Sequence, residues 1–81
     1  MNKEYYNFIR RKGYVYSKDN MGYYFNLDDT KFSIIKNGPY MQCFYNKKIN
    51  NSWKLQSCSQ HMIDIDKCFL WIINIINESN K

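Results

Sequence analysis

The sequence predicts an α+β fold: an N-terminal helix, an antiparallel sheet of four to five strands, and a C-terminal helix packed on the sheet. Two observations lead to this prediction. Apolar residues recur with helical spacing only near the two ends of the chain, whereas the middle consists of short β-prone runs separated by Asn, Asp and Gly. The connections between these runs are short, which favours an antiparallel meander.

The first helix is predicted over residues 3–12. Tyr5, Phe8 and Ile9 lie at helical spacing, and Gly13 supplies a C-terminal stop. The last turn carries three consecutive basic residues, which form either a solvated face or a grip on phosphates or on an acidic protein patch. These residues are Arg10, Arg11 and Lys12.

The strands follow as five β-prone runs, at residues 14–16, 23–27, 31–36, 40–46 and 53–57. The connection between the third and fourth runs carries the strongest local signal. Asn37 and Gly38 both tolerate positive φ and therefore favour a two-residue type I′ turn. Pro39 conflicts with this turn because it cannot donate to a strand ladder. Either the loop is longer than two residues, or Pro39 begins a strand with its nitrogen facing solvent.

The C-terminal helix is predicted from Met62 onward, where the apolar period changes from strand-like to helical. Its apolar residues leave only a narrow polar stripe. Two alternatives account for the excess of apolar side chains. The helix is buried between the sheet and the first helix, or it forms an interface with a partner or in a homodimer that contains Leu70 and Trp71. The predicted apolar face consists of Ile65, Cys68, Phe69, Ile72, Ile75 and Ile76.

Length and composition predict a single domain over residues 1–81 with one core. A chain of 81 residues supports only a marginal core, but 19% of the residues are aromatic, and large rings build a dense core from few side chains. The three cysteines are odd in number, and the chain begins without an apolar segment. We therefore expect a cytoplasmic protein with reduced thiols. The longest apolar run is shorter than the roughly 18 residues of a membrane-spanning helix, so no membrane is expected.

No stretch matches a catalytic, cofactor or metal motif, and the sequence predicts a protein that is not an enzyme and binds no cofactor or metal. Cys43, Cys58, His61 and Cys68 form the best zinc set, but paired ligand knuckles are missing and two of the cysteines lie in apolar runs that predict burial. A Cys58 nucleophile with His61 as base is the one covalent arrangement available, and no orienting carboxylate is obvious. The isolated glycines form no phosphate loop.

The net charge of +5 favours anionic partners, which are nucleic acid or an acidic protein surface. Tyrosines alternate with lysines along the predicted strands, as a sheet that stacks bases and holds phosphates requires. The motif of an RNA-recognition sheet is absent. The residues predicted to bind a partner or nucleic acid are Arg10, Arg11, Lys12, Tyr14, Tyr16, Lys47, Lys48 and Trp71.

The sequence therefore predicts a small protein-binding module whose partner is a host protein or nucleoprotein complex. Heavy use of Asn, Lys, Ile and Tyr and the absence of Ala are typical of an AT-rich coding sequence, which favours a phage or mobile-element origin. An inhibitor or accessory of a nucleic-acid-handling or defence complex fits this class, of which anti-CRISPR proteins are an example. The alternative is a basic, tyrosine-rich domain that binds DNA or RNA with little sequence specificity.

Overall fold

A computed structural model describes residues 1–79 of the chain, and it confirms the predicted α+β fold. The five strands form one antiparallel sheet in which every strand pairs with its neighbour in sequence. The elements are α1 (Lys3–Arg11), β1 (Val15–Lys18), β2 (Gly22–Leu27), β3 (Thr30–Asn37), β4 (Tyr40–Ile49), β5 (Ser52–Cys58) and α2 (Ile65–Ser79).

Helix α1 begins at Lys3, as predicted, and ends at Arg11, one residue before the predicted end. The side-chain oxygen of Asn2 accepts hydrogen bonds from the backbone N–H groups of Glu4 (2.9 Å) and Tyr5 (3.3 Å), which have no partner within the helix. Lys12 caps the other end, and Gly13 follows with φ +103°, a backbone conformation that glycine adopts at little cost. Ile9 is the fully buried residue of this helix.

Helix α2 begins three residues later than the sequence indicated. Asp64 caps it, because the Asp64 carboxylate accepts from the Asp66 N–H at 2.9 Å. Met62 instead extends the sheet, and its backbone exchanges two hydrogen bonds of 2.7 Å with Met41. Neither helix within residues 1–79 is long and apolar enough to cross a membrane.

The turn between β3 and β4 differs from the predicted one. Asn37 pairs with Tyr40, so the two-residue loop is Gly38-Pro39 rather than Asn37-Gly38. Gly38 has φ +61°, and the Pro39 ring fixes φ near −65°, which together match a type II′ turn with glycine in its first central position. Pro39 fits because a loop residue donates no ladder hydrogen bond.

Both helices cover the same face of the sheet. Phe25 lies at their junction, with its ring centre 6.3 Å from that of Tyr6 in α1 and 5.8 Å from that of Phe69 in α2. The backbone N–H of Asn2 donates to the Asp66 carboxylate at 2.7 Å, which holds the first turns of the two helices together. The fully buried side chains lie between the helices and the sheet: Ile9, Phe25, Phe32, Ile34, Cys43, Cys68, Phe69 and Ile72.

Candidate partner-binding face of the sheet

The opposite face of the sheet is not covered by either helix, and we call it the open face. Side chains alternate between the two faces of a strand, and paired residues on neighbouring strands point to the same side. Tyr24, Ser33 and Phe44 form one row across the open face, and Val15, Lys31 and Leu55 belong to the next row. The open face includes Val15, Ser17, Tyr24, Asn26, Lys31, Ser33, Ile35, Tyr40, Gln42, Phe44, Asn46, Lys48, Trp53, Leu55 and Cys58.

Trp53 is the most prominent aromatic residue of this face. Its side chain is 41% exposed, and that of Leu55, two positions along the same strand, is 56% exposed. The ammonium nitrogen of Lys31 lies 4.9 Å from the centre of the Trp53 ring, and that of Lys48 lies 5.9 Å from it. Cations at this distance are attracted to the indole π-system. Two positive charges therefore flank an exposed indole.

The position of β5 explains why Trp53 and Leu55 are exposed. Alternation of Trp53 and Leu55 with Lys54 and Gln56 is a pattern that normally directs the apolar residues to the core. Here β5 is an edge strand, all seven of its residues are exposed, and α2 packs on β4 instead. A register shift opposite Tyr45 and Asn46 leaves Gln56 without a partner on β4, which bends the edge strand.

All of the charged side chains in the strands are positive. None of the five strands contains an Asp or Glu, whereas they contain six lysines. The acidic residues of the described chain lie in turns or on the helix layer. The carboxylate of Asp19 contacts an open-face residue, because it accepts from the Tyr24 hydroxyl at 2.9 Å. The open face is therefore suited to a negatively charged partner.

Asp19 organises the turn between β1 and β2. Its carboxylate accepts from the backbone N–H groups of Met21 (2.8 Å) and Gly22 (3.1 Å) as well as from Tyr24. The hydrogen bond from the Met21 backbone, followed by that from Tyr24, lowers the pKa of Asp19. The same Asp19 contact raises the pKa of the Tyr24 hydroxyl.

The structure places the basic cluster of α1 on the helix layer, away from the open face. Arg10 donates to the Tyr6 hydroxyl at 2.9 Å, and the Lys12 ammonium lies 5.2 Å from the centre of the Phe8 ring. Arg11 is exposed and lines a groove between the helices. These three residues do not share a surface with Trp53.

The tyrosines that the sequence predicted to stack bases are divided between the two faces of the sheet. Tyr14 is buried with its ring 5.5 Å from Phe32, and Tyr16 packs 5.2 Å from Phe25, so both belong to the core side. Burial raises the pKa of both hydroxyls. Tyr23 and Tyr45 share that side, which leaves Tyr24 and Tyr40 on the open face.

The remaining residues predicted to bind a partner also lie on different surfaces. Lys47 lies beside Tyr45 on the core side of β4, at 5.9 Å from the ring centre, whereas Lys48 lies on the open face. Trp71 is half-buried against the core. Sequence reasoning missed Lys31, Phe44, Trp53 and Leu55 as one surface. Two features of the sequence could have indicated this surface. No β-prone run contains an acidic residue, and the run that contains Trp53 and Leu55 is the last of the five.

Cys43 and Cys68 lie together in the core, apart from the exposed Cys58 and His61. Cys43 and Cys68 are buried, as their apolar surroundings predicted, and the Cys43 sulfur lies 3.9 Å from the Cys68 carbonyl oxygen. Contact with the Cys68 side chain and burial raise the pKa of Cys43. Cys58 is exposed on β5, and the His61 ring packs 6.1 Å from Tyr40. No group of three or more His, Cys, Asp or Glu residues within positions 1–79 is arranged to hold a metal ion.

Comparison of the chain with protein families, with curated proteins and with solved structures finds no match. The geometry of the site carries the functional argument. Its main features are an exposed indole between two lysines, an apolar row beside it, and a sheet without acidic side chains.

Proposed function

We propose that this protein is a non-enzymatic protein-binding module that docks its open face on an acidic surface of a partner protein. The observation that carries the proposal is the exposed Trp53 side chain between Lys31 and Lys48. Leu55 and Phe44 continue the apolar surface from Trp53 towards the centre of the sheet. Such a surface combines exposed apolar side chains with neighbouring basic ones, and interfaces likewise pair apolar contacts with polar ones.

The expected energetics follow from this arrangement. Trp is among the residues that most often dominate binding, and truncation of a central Trp commonly costs about 2 kcal/mol or more. The lysines contribute in a different way. Positive charges at a rim mainly accelerate encounter with an acidic partner and orient it, and salt weakens their effect. Trp53 is thus expected to set the lifetime of the complex, and Lys31 and Lys48 its rate of formation.

The biological setting of the proposal rests on the sequence. Small size and AT-biased residue usage support an inhibitor or accessory encoded by a phage or mobile element, with a host nucleic-acid-handling or defence complex as target. In this role, which is comparable to that of anti-CRISPR proteins, a basic face would cover an acidic patch of the target.

A second candidate function is direct binding of single-stranded DNA or RNA by the same face. The observation in its favour is that four aromatic rings, those of Tyr24, Tyr40, Phe44 and Trp53, share the open face with two lysines. Base stacking on such rings is largely independent of sequence. The inward position of Tyr14, Tyr16, Tyr23 and Tyr45 leaves fewer rings for it than the sequence indicated.

The test is capture of partners from a lysate of the proposed host, with and without nuclease treatment, by the wild type and by open-face variants. Trp53→Ala and Lys31→Glu should lose a partner that the wild type retains. Two controls make the same kinds of substitution away from the open face. Lys67→Glu reverses a charge at an exposed position of α2, and Ile63→Ala truncates an exposed apolar side chain in the connection before α2. Both controls should retain the partner.

Equal capture by all variants would exclude the open face as the binding surface. Loss of every bound protein after nuclease treatment would favour the second candidate. A salt titration with a labelled single-stranded oligonucleotide then decides, because affinity that depends on phosphate contacts falls linearly with salt on a log-log scale.

A further inference from the structure

We propose that the helix layer is a self-association surface, on which a second copy of this chain docks across the groove between α1 and α2 about a twofold axis. The groove has a volume of about 300 Å³ and opens to solvent on the side of the helices that faces away from the sheet. It is lined by Glu4, Tyr5, Phe8, Arg11, Leu70 and Ile73.

The floor of this groove is apolar. Tyr5 and Phe8 of α1 are half-buried, and Leu70 of α2 is 38% exposed although its neighbour Phe69 is completely buried. The core is already closed by Ile9, Phe69 and Ile72, so Leu70 has no role in it. Covering these side chains would remove apolar area from water, which favours association.

The charges of the groove indicate which partner fits. Glu4 and Arg11 both lie on the groove side of α1, seven residues apart, which corresponds to two helical turns or about 10 Å. When two copies of α1 pack antiparallel, Glu4 of each copy faces Arg11 of the other. A groove with an acid at one end and a base at the other is therefore complementary to itself. Antiparallel packing also opposes the two helix dipoles favourably.

The size of the helix layer sets the expected strength. α2 has 15 residues and is about 22 Å long, and two adjacent helices are about 20 Å wide. Each copy thus contributes a modest area, at the low end for specific interfaces, so a dissociation constant of about 1–100 µM is expected. This interface lies on the opposite layer from the open face. It does not depend on the proposed function, and the dimer would present two open faces to a partner.

The test is sedimentation equilibrium of the full chain from about 0.5 µM to about 500 µM, a range that brackets the expected dissociation constant. The wild-type mass should rise from that of the 9.9 kDa monomer towards twice that value. Glu4→Arg and Arg11→Glu should each weaken the dimer by about tenfold, because each places like charges opposite one another. The double variant Glu4→Arg with Arg11→Glu should restore it, since the complementary pairs reappear in reverse.

Recovery of the dimer in the double variant distinguishes an effect on association from an effect on folding. Each charge change opposes the dipole of α1, so any loss of helix stability would add in the double variant rather than cancel. Circular dichroism verifies that all variants are folded. Trp53→Ala, which alters the other layer, should retain the dimer. A wild type that is monomeric at every concentration, a double variant weaker than both single variants, or a dimer lost in Trp53→Ala would each overturn the proposal.

Discussion

Lys31 on β3 reaches across β4 and places its ammonium nitrogen 4.9 Å from the centre of the Trp53 ring on β5. Three strands thus contribute to one local site, since Lys48 of β4 lies 5.9 Å from the same ring. The consequence is a locally positive potential at an exposed indole, which small ions can report without knowledge of any partner.

The first prediction concerns this potential. In a Trp71→Phe background, the ratio of iodide to caesium quenching of Trp53 should exceed that of the neutral reference N-acetyltryptophanamide about twofold to threefold at low ionic strength, because the lysines attract the anion. Lys31→Glu combined with Lys48→Glu should abolish or reverse this preference. Lys67→Glu, a single charge reversal on α2, serves as the control for position and should preserve it. A quenching ratio equal to that of N-acetyltryptophanamide in the Trp71→Phe protein would show that the lysines do not control the field at Trp53.

The second prediction concerns Gly22, which lies at the start of β2 against β3. A Cβ atom at this position would collide with the Ile34 carbonyl oxygen, a backbone atom that cannot move without distorting the sheet. Gly22→Ala should therefore lower the free energy of unfolding by about 3 kcal/mol or more, or prevent folding. Urea denaturation measures the change.

Gly38→Ala is the matched control for this effect. Gly38 has positive φ but open space around it, so alanine there meets only the backbone strain of about 1–2 kcal/mol. A Gly22→Ala protein as stable as Gly38→Ala would contradict the close approach of β2 and β3.

The third prediction concerns the thiols. Cys58 is exposed, whereas Cys43 and Cys68 are completely buried, and the raised pKa of Cys43 keeps its thiol protonated at neutral pH. A thiol reagent at pH 8 should therefore modify one cysteine rapidly in the folded protein and all three in denaturant, as mass spectrometry can count. Cys58→Ser should remove the rapid reaction. Rapid modification of more than one thiol in the folded state would contradict the packing of β4 against α2.

The fourth prediction concerns acid stability. The folded-state pKa of Asp19 is lowered below its ordinary value of about 3.9, so the charged carboxylate favours folding. Its contribution is fully present above that ordinary value and is lost as the pH falls through the lowered pKa. Asp19→Asn retains a hydrogen-bond acceptor but does not titrate. Urea midpoints measured from about pH 5 to pH 2 should therefore converge for the wild type and this variant. Parallel profiles would exclude a role for Asp19 in acid unfolding.

The order and type of the elements could be predicted because each has a local cause. Asn2 and Gly13 delimit α1 through backbone capping, and the change of apolar period after β5 marks α2. The β3–β4 turn was misplaced by one residue. Both Asn37-Gly38 and Gly38-Pro39 satisfy a two-residue turn, and only the ladder pairing of Asn37 with Tyr40 distinguishes them.

The open face could not be predicted, because its position depends on contacts between distant segments. Tyr23, Tyr24 and Phe25 are consecutive aromatics, so their sequence shows no alternation from which an inward and an outward side could be assigned. Trp53 and Leu55 do alternate with polar residues. Their side of the sheet depends on the edge position of β5 and on where α2 packs, and neither property is encoded in the run itself.

The sequential order of the five strands has a consequence for how the chain folds. Every strand pairing joins neighbours in sequence, so the sheet can grow hairpin by hairpin at little loop-closure cost. The helix contacts differ, since the hydrogen bond between Asn2 and Asp66 joins residues 64 positions apart. The side of Phe25 that packs on Phe69 therefore stays uncovered until α2 arrives. Aggregation during synthesis is most probable in that interval, and conditions that slow the arrival of α2 should increase it more than conditions that weaken the sheet.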